Sequence, residues 1–274
     1  MPAVIKYRQF IRSFDYMLRN FPQAGVAYAH HKRDYTIAAF TFIVTGICLT
    51  VDGSGSREMQ WALAFFGYLF LALLLSRESK LLRMQVVVAL LFATAGELFA
   101  SPYMEGYIYR FGSVPPYVPA GHGMVYLTAV VLGRSGFFLR YARAIALFTV
   151  ISCGLWSAWG LSPFAERSDQ IGAILSCVYL IYLFKGKSPM VYLGAFFITT
   201  WLELVGTTAG TWAWAVVDPA SGLTQGNPPS GVAAWYCLVD AVAIAGAAPA
   251  LRLLQKLSNG MVQFKQLARV RNEK

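Results

Sequence analysis

Two short stretches put carboxyl groups where water is scarce. Thr94-Ala-Gly-Glu-Leu98 and Thr200-Trp-Leu-Glu-Leu204 each carry a glutamate, Glu97 and Glu203, inside a run of apolar residues. A carboxyl in hydrocarbon costs several kcal/mol unless it is paired or holds a proton. Groups of that kind serve as general acids. Asp240, ten residues into the last apolar run, is a third such acid. Glu203 reads as a proton donor, with Glu97 and Asp240 as partner acids or water-positioning groups. The structural alternative is a protonated acid tied by a hydrogen bond to a neighbouring helix. His122, just past the start of an apolar run, either joins these acids or caps the loop before it.

Aromatic residues gather around the same stretches. Trp201, Trp212, Trp214 and Trp235, with Tyr107, Tyr109, Tyr126 and Tyr236, fall close to the acids or to the loops beside them. They form either an interfacial aromatic belt or the lining of a pocket. Aromatic faces attract positive charge. Acids plus aromatic faces suit the protonation of a carbon–carbon double bond and the handling of the cation that results.

Other chemistries lack their residues. Of the three histidines, His30 and His31 are adjacent in a basic segment, which leaves too few for a di-iron centre or a pair of haem ligands. Cys48, Cys153, Cys177 and Cys237 have no metal-type spacing and read as reduced thiols in apolar runs. No serine has a convincing His and Asp partner set, and no glycine loop would cradle a phosphate. The expectation is a site without metal or cofactor.

The elements that carry these residues are membrane spans. Apolar residues make up 57% of the chain and charged residues only 13%, and the mean hydropathy is +0.52. Apolar runs long enough to cross a bilayer recur along the chain. Eight spans are expected near residues 35–51, 59–76, 84–101, 118–133, 143–160, 170–184, 189–210 and 231–251, with ends uncertain by about two to four residues. The net charge of +10 does not point to nucleic acid, because the basic residues sit in short clusters between apolar runs. With the N-terminus inside, only Arg57, Arg110 and Arg167 of the 23 Lys and Arg fall in outer loops. That asymmetry predicts both termini on the cytoplasmic side of an inner (plasma) membrane. A seven-span alternative would place the basic tail outside. The last run also has no lysine for a retinal Schiff base.

Residues 1–34 hold no cleavable signal segment. Positions 7, 10, 11, 14, 17 and 18 follow helical spacing and predict an amphipathic interfacial helix. The halves 35–133 and 134–254 read as two four-helix repeats, followed by a basic tail at 255–274. Thr94, Glu97 and Leu98 align with Thr200, Glu203 and Leu204. Gly106 aligns with Gly210, Pro119 and Gly121 with Pro229 and Gly231, and Tyr126 with Tyr236. That alignment sets His122 opposite Val232. An even number of helices per half makes the repeat parallel. Both glutamates then lie about 20 Å from the cytoplasmic ends of their helices, at equal depth. The apolar loops at 102–118 and 211–230 read as caps over the outer mouth.

Glu203-Leu-Val-Gly206, Gly210-Thr-Trp-Ala-Trp214 and Asn227-Pro-Pro229 together resemble two groups of membrane proteins: carotenoid-biosynthesis hydratases and small integral-membrane terpene cyclases. The resemblance covers residues 190–245 and does not reach the first helices. It implies an isoprenoid substrate, with Glu203 and Asp240 as acid or cation-stabilising residues, and it adds Asn227 to the candidate substrate-binding set. The expected protein is therefore an all-α polytopic membrane bundle acting on a hydrophobic small molecule drawn from membrane lipid. Two rivals arise from the same residues: a proton-coupled carrier and an accessory membrane subunit.

Overall fold

The computed structural model describes residues 18–22 and 28–272, with side chains as far as residue 259. Of the amphipathic helix expected at positions 7, 10, 11, 14, 17 and 18, all but Leu18 lies outside the described residues, and Leu18 is buried at the start of a 3-10 turn, Leu18–Asn20. Among the described residues there are eight α-helices: α1 (Lys32–Ser54), α2 (Arg57–Leu75), α3 (Lys80–Leu98), α4 (Val118–Arg134), α5 (Gly136–Gly160), α6 (Gln170–Lys185), α7 (Pro189–Thr208) and α8 (Ala233–Asn272). Their starts are encoded locally. Ser56, Ser79, Ser135 and Asp169 each accept a hydrogen bond from a backbone N–H three residues on, which caps α2, α3, α5 and α6. Pro lies in the first turn of α4 and of α7, where its missing N–H costs nothing.

Among the described residues, six helices are long and apolar enough to cross a membrane: α1, α2, α3 with the turn after it, α5, α7 and α8 to Asn259. The chain is a multi-pass helical membrane protein. Large apolar side chains point outward on these helices, among them Trp61, Phe65, Leu91 and Leu155, each more than 60% exposed. A surface of that kind calls for lipid rather than water. α6 is shorter but equally apolar. α4 is the central helix, buried along most of its length.

α4 and α7 are the most intimate pair. A side-chain carbon at Gly194 would come within 2.3 Å of the Ala129 carbonyl oxygen, and one at Gly133 within 2.5 Å of that of Met190. Small residues here let two backbones touch, which is how helices pack inside a bilayer. Around this pair, α1 and α2 pack on α4, and α3 lies against α4 and α8.

One end of the bundle is tied by charge. Arg134 at the end of α4 bonds Asp34 of α1 at 2.6 Å and Glu78 of the α2–α3 loop at 3.1 Å, and Arg33 reaches Glu78 at 3.4 Å. Burial works against ionisation of Glu78. The hydrogen bond and charge of Arg134, with Arg33, outweigh it and hold the carboxyl below its usual range.

The fold is all-helical, as expected, and the other end of the bundle adds one short strand pair to it. After α3 a π-helical turn, Phe99–Tyr103, leads into β1 (Tyr107–Tyr109). After α7 comes β2 (Trp212–Trp214). The two strands pair antiparallel, Tyr107 with Trp214, Ile108 with Ala213 and Tyr109 with Trp212. The apolar loops thus form a cap, as expected, through backbone pairing across about a hundred residues of sequence.

Candidate functional site

The strand pair decides where the aromatics point. Alternate residues of a strand face opposite ways, so Tyr107, Tyr109, Trp212 and Trp214 turn into the bundle while Ile108 and Ala213 face out. Below them, one acid stands on each side.

Glu97, near the end of α3, accepts hydrogen bonds at Oε2 from the Tyr107 hydroxyl at 2.5 Å and the Tyr109 hydroxyl at 2.7 Å. Its Oε1 lies 2.8 Å from His122 Nε2 of α4. Glu203, on α7, accepts at Oε2 from the Trp212 and Trp214 indole N–H groups, both at 3.1 Å, and at Oε1 from the Tyr236 hydroxyl at 3.2 Å. Each acid therefore has three partners: two from its own cap strand and one from the next helix. Burial, together with the charge of Glu97, pushes the Tyr107 and Tyr109 phenols well above their usual range, so both remain donors.

The two partner sets interlock ring by ring. Tyr107 packs on Trp214 with centroids 4.7 Å apart, Tyr109 on Trp212 at 5.9 Å, and His122 on Tyr236 at 5.7 Å. Gly206 makes the second set possible. A side-chain carbon there would sit 2.0 Å from the Trp212 ring, so only glycine lets the indole lie against α7 and reach Glu203.

Both acids line one cavity of about 830 Å³, within the size range of small-molecule sites. His122, Tyr107, Tyr109, Trp212, Trp214, Trp235 and Tyr236 line it too, with Asp218 and Gln225 of the loop after β2, and apolar side chains of α1, α2, α3, α4 and α8 supply most of the rest. Among the described residues no group of three or more His, Cys, Asp or Glu is placed to hold a metal ion.

Four residues singled out in the sequence fall elsewhere. Asp240 is buried one turn beyond Tyr236, its Oδ2 has no hydrogen-bond partner among the described residues, and it does not line the cavity. Tyr126 is buried among Ile37, Leu71, Val86 and Ala243, with its hydroxyl likewise unpartnered there. Its alignment with Tyr236 does not carry over to contacts, because the residue that meets the first acid is His122, one turn earlier. Trp201 is 41% exposed and donates its indole N–H to the Phe42 carbonyl at 3.0 Å, which clasps α7 to α1 on the outer surface of the bundle. Asn227 positions the cap, its Oδ1 accepting from the Trp214 backbone N–H at 2.9 Å.

Besides Asp34, two further buried acids were not anticipated. Asp52, at the end of α1, accepts from Gln60 Nε2 at 2.8 Å and from the Tyr117 hydroxyl at 2.7 Å. Arg110 bonds the Asp52 carbonyl, which ties the loop after β1 to the same corner. Asp169 accepts from the backbone N–H groups of Gly172, Gly226 and Ser230 at 2.7–2.9 Å, and so fixes the loop that leads into α8. An acid directly before an apolar run was the available signal for Asp169.

No protein-family model, curated protein or solved structure matches the chain.

Proposed function

We propose that the chain is an integral-membrane enzyme that moves a proton between carboxyl groups and a carbon–carbon double bond of a lipid-soluble, isoprenoid-type substrate. The observation that carries this reading is the pairing of Glu97–His122 with Glu203 inside one largely apolar, aromatic-lined cavity. The two acids have different partners. Glu97 shares its Oε1 with an imidazole, and such a pair can hold and release one proton. Two of the three groups around Glu203 are indoles, which only donate and so complement a carboxylate.

In this mechanism the Glu97–His122 pair gives its proton to one alkene carbon. The π electrons form the new C–H bond, and the adjacent carbon becomes a cation facing the Trp and Tyr rings. Glu203, which the sequence alone suggested as the donor, has the acceptor's part in this mechanism and then takes a proton. If the proton leaves a neighbouring carbon, the double bond has shifted. If it leaves a water that has added to the cation, the product is an alcohol. If an internal alkene attacks the cation first, a ring forms before the proton leaves.

The architecture that goes with this reading is eight spans in a plasma membrane, both termini cytoplasmic, built as two parallel four-helix repeats. Its support is the charge asymmetry of the loops, the eight helices, and the matching order of acid, aromatic strand and helix in each half.

The test is incubation of the purified chain in lipid nanodiscs with isoprenoid polyenes in D2O. Deuterium appearing in the polyene, and lost in Glu97→Gln, supports the enzyme. No exchange with any polyene, together with proton-dependent flux in proteoliposomes, would replace it with a carrier. The carrier is the second reading because the two acid clusters are arranged as counterparts across the strand pair.

A further inference from the structure

Some side chains that line the cavity are also exposed on the outside of the bundle, among them Phe66 of α2 and Phe99 just after α3. α2 packs on α1 and α4, and α3 packs on α4 and α8, so the seam between α2 and α3 is held by neither helix's main contacts. Phe66 and Phe70 line the cavity from α2, and Phe92 and Phe99 from the α3 side. Phe66 is 50% exposed and Phe99 55% exposed, so the same side chains face both cavity and lipid. Two glycines lie on the path inward. Gly96 precedes Glu97 and Gly121 precedes His122. Both line the cavity, and a side-chain carbon at either would meet nothing within 4 Å. Open space thus adjoins both members of the proton-holding pair.

The far end of this path selects by charge. Three carboxyl groups, those of Glu97, Glu203 and Asp218, and no arginine or lysine line the cavity. A chain ending in phosphate or carboxylate would bring like charge into a low-dielectric pocket, which is strongly unfavourable.

We propose that the α2–α3 seam is a lateral portal, through which a neutral, unsaturated hydrocarbon chain enters from the bilayer and brings its end to Glu97 and His122. The fate of the chain after entry rests on the enzymatic reading, but entry itself is separable from chemistry.

The experiment uses the full chain in nanodiscs and two probes that share one polyene skeleton, neutral retinol and, at pH 8, anionic retinoic acid. Binding is read by energy transfer from tryptophan. Retinol is expected to bind at least tenfold more tightly than retinoate, with Glu97→Gln narrowing that gap while still binding retinol. Gly96→Phe, which fills the portal, is expected to weaken retinol binding at least tenfold, and Gly121→Phe provides the same test deeper in should the first variant not fold. A folded Gly96→Phe or Gly121→Phe protein that binds retinol like the parent would overturn the portal. Equal binding of the two probes would overturn the charge selection. Selective binding blocked at Gly96, without deuterium exchange in any polyene, would leave the portal standing and remove the enzymatic reading.

Discussion

Tyr107 and Trp214 lie ring against ring, 4.7 Å between centroids, and each hydrogen-bonds a different acid. Opposed on paired strands, they join the surroundings of Glu97 to those of Glu203. The two carboxyl groups therefore belong to one polar unit in an apolar bundle.

If that unit transfers protons, its members should fail differently. Glu97→Gln removes the group that shares a proton with His122, and deuterium incorporation should drop by about 10²–10⁴, the usual worth of a general acid. Glu203→Gln cannot accept a proton but can still accept from the indoles. Its loss should appear in product formation, with retinol binding retained. Equal residual exchange in the two variants would contradict the assigned roles.

Gly206→Ala should disturb the site without touching an acid. The added carbon meets the Trp212 ring at 2.0 Å, so the indole must move away from Glu203. Overpacking of this sort costs about 1–3 kcal/mol. Denaturant unfolding in micelles should show that loss, and a red-shifted tryptophan emission should accompany it.

Asp52 offers a test of buried polar pairing. Asp52→Ala strands the donors of Gln60 and Tyr117, at a cost of about 1–3 kcal/mol for each group left unpaired. Adding Gln60→Leu and Tyr117→Phe removes the stranded donors and should recover part of that loss. A triple variant no more stable than the single one would show that the carboxyl acts mainly through other contacts.

The opposite end of the bundle should respond to acid. Glu78 is held below its ordinary value of 4.5 by Arg134 and Arg33, against the pull of burial. A lowered folded-state value stabilises the protein above the ordinary range and ceases to do so as pH falls through the folded value. Thermal unfolding temperature should therefore fall as pH drops below about 4.5. Glu78→Gln should cost about 2 kcal/mol at pH 7 and flatten this part of the profile.

The helices were legible because apolar length is a local property, and so were the two glutamates, each alone in an apolar run. The cap was legible only as two unusually apolar loops. Pairing of Tyr107 with Trp214 joins residues about a hundred positions apart, and no local pattern encodes it. The direction of Trp201 was hidden for a related reason. A helix apolar on every side gives no periodic signal for which face meets lipid, and Trp201 proved to face outward. Asp240 was readable as a buried acid but not as one remote from the cavity, since depth along a helix says nothing of azimuth. Asp52 was passed over because Asp-Gly-Ser-Gly-Ser56 looks like a solvated turn, whereas α1 continues through it to Ser54.

The strand pair also has a mechanical meaning. It bolts the end of α3 to the end of α7, and Arg167, Asn227 and Gln225 pin its edges through Trp214 and Gly106. Those two helices and the cap then form a rigid plate that holds both acids at a fixed separation. Of the two helices that flank the proposed portal, α3 belongs to this plate and α2 does not.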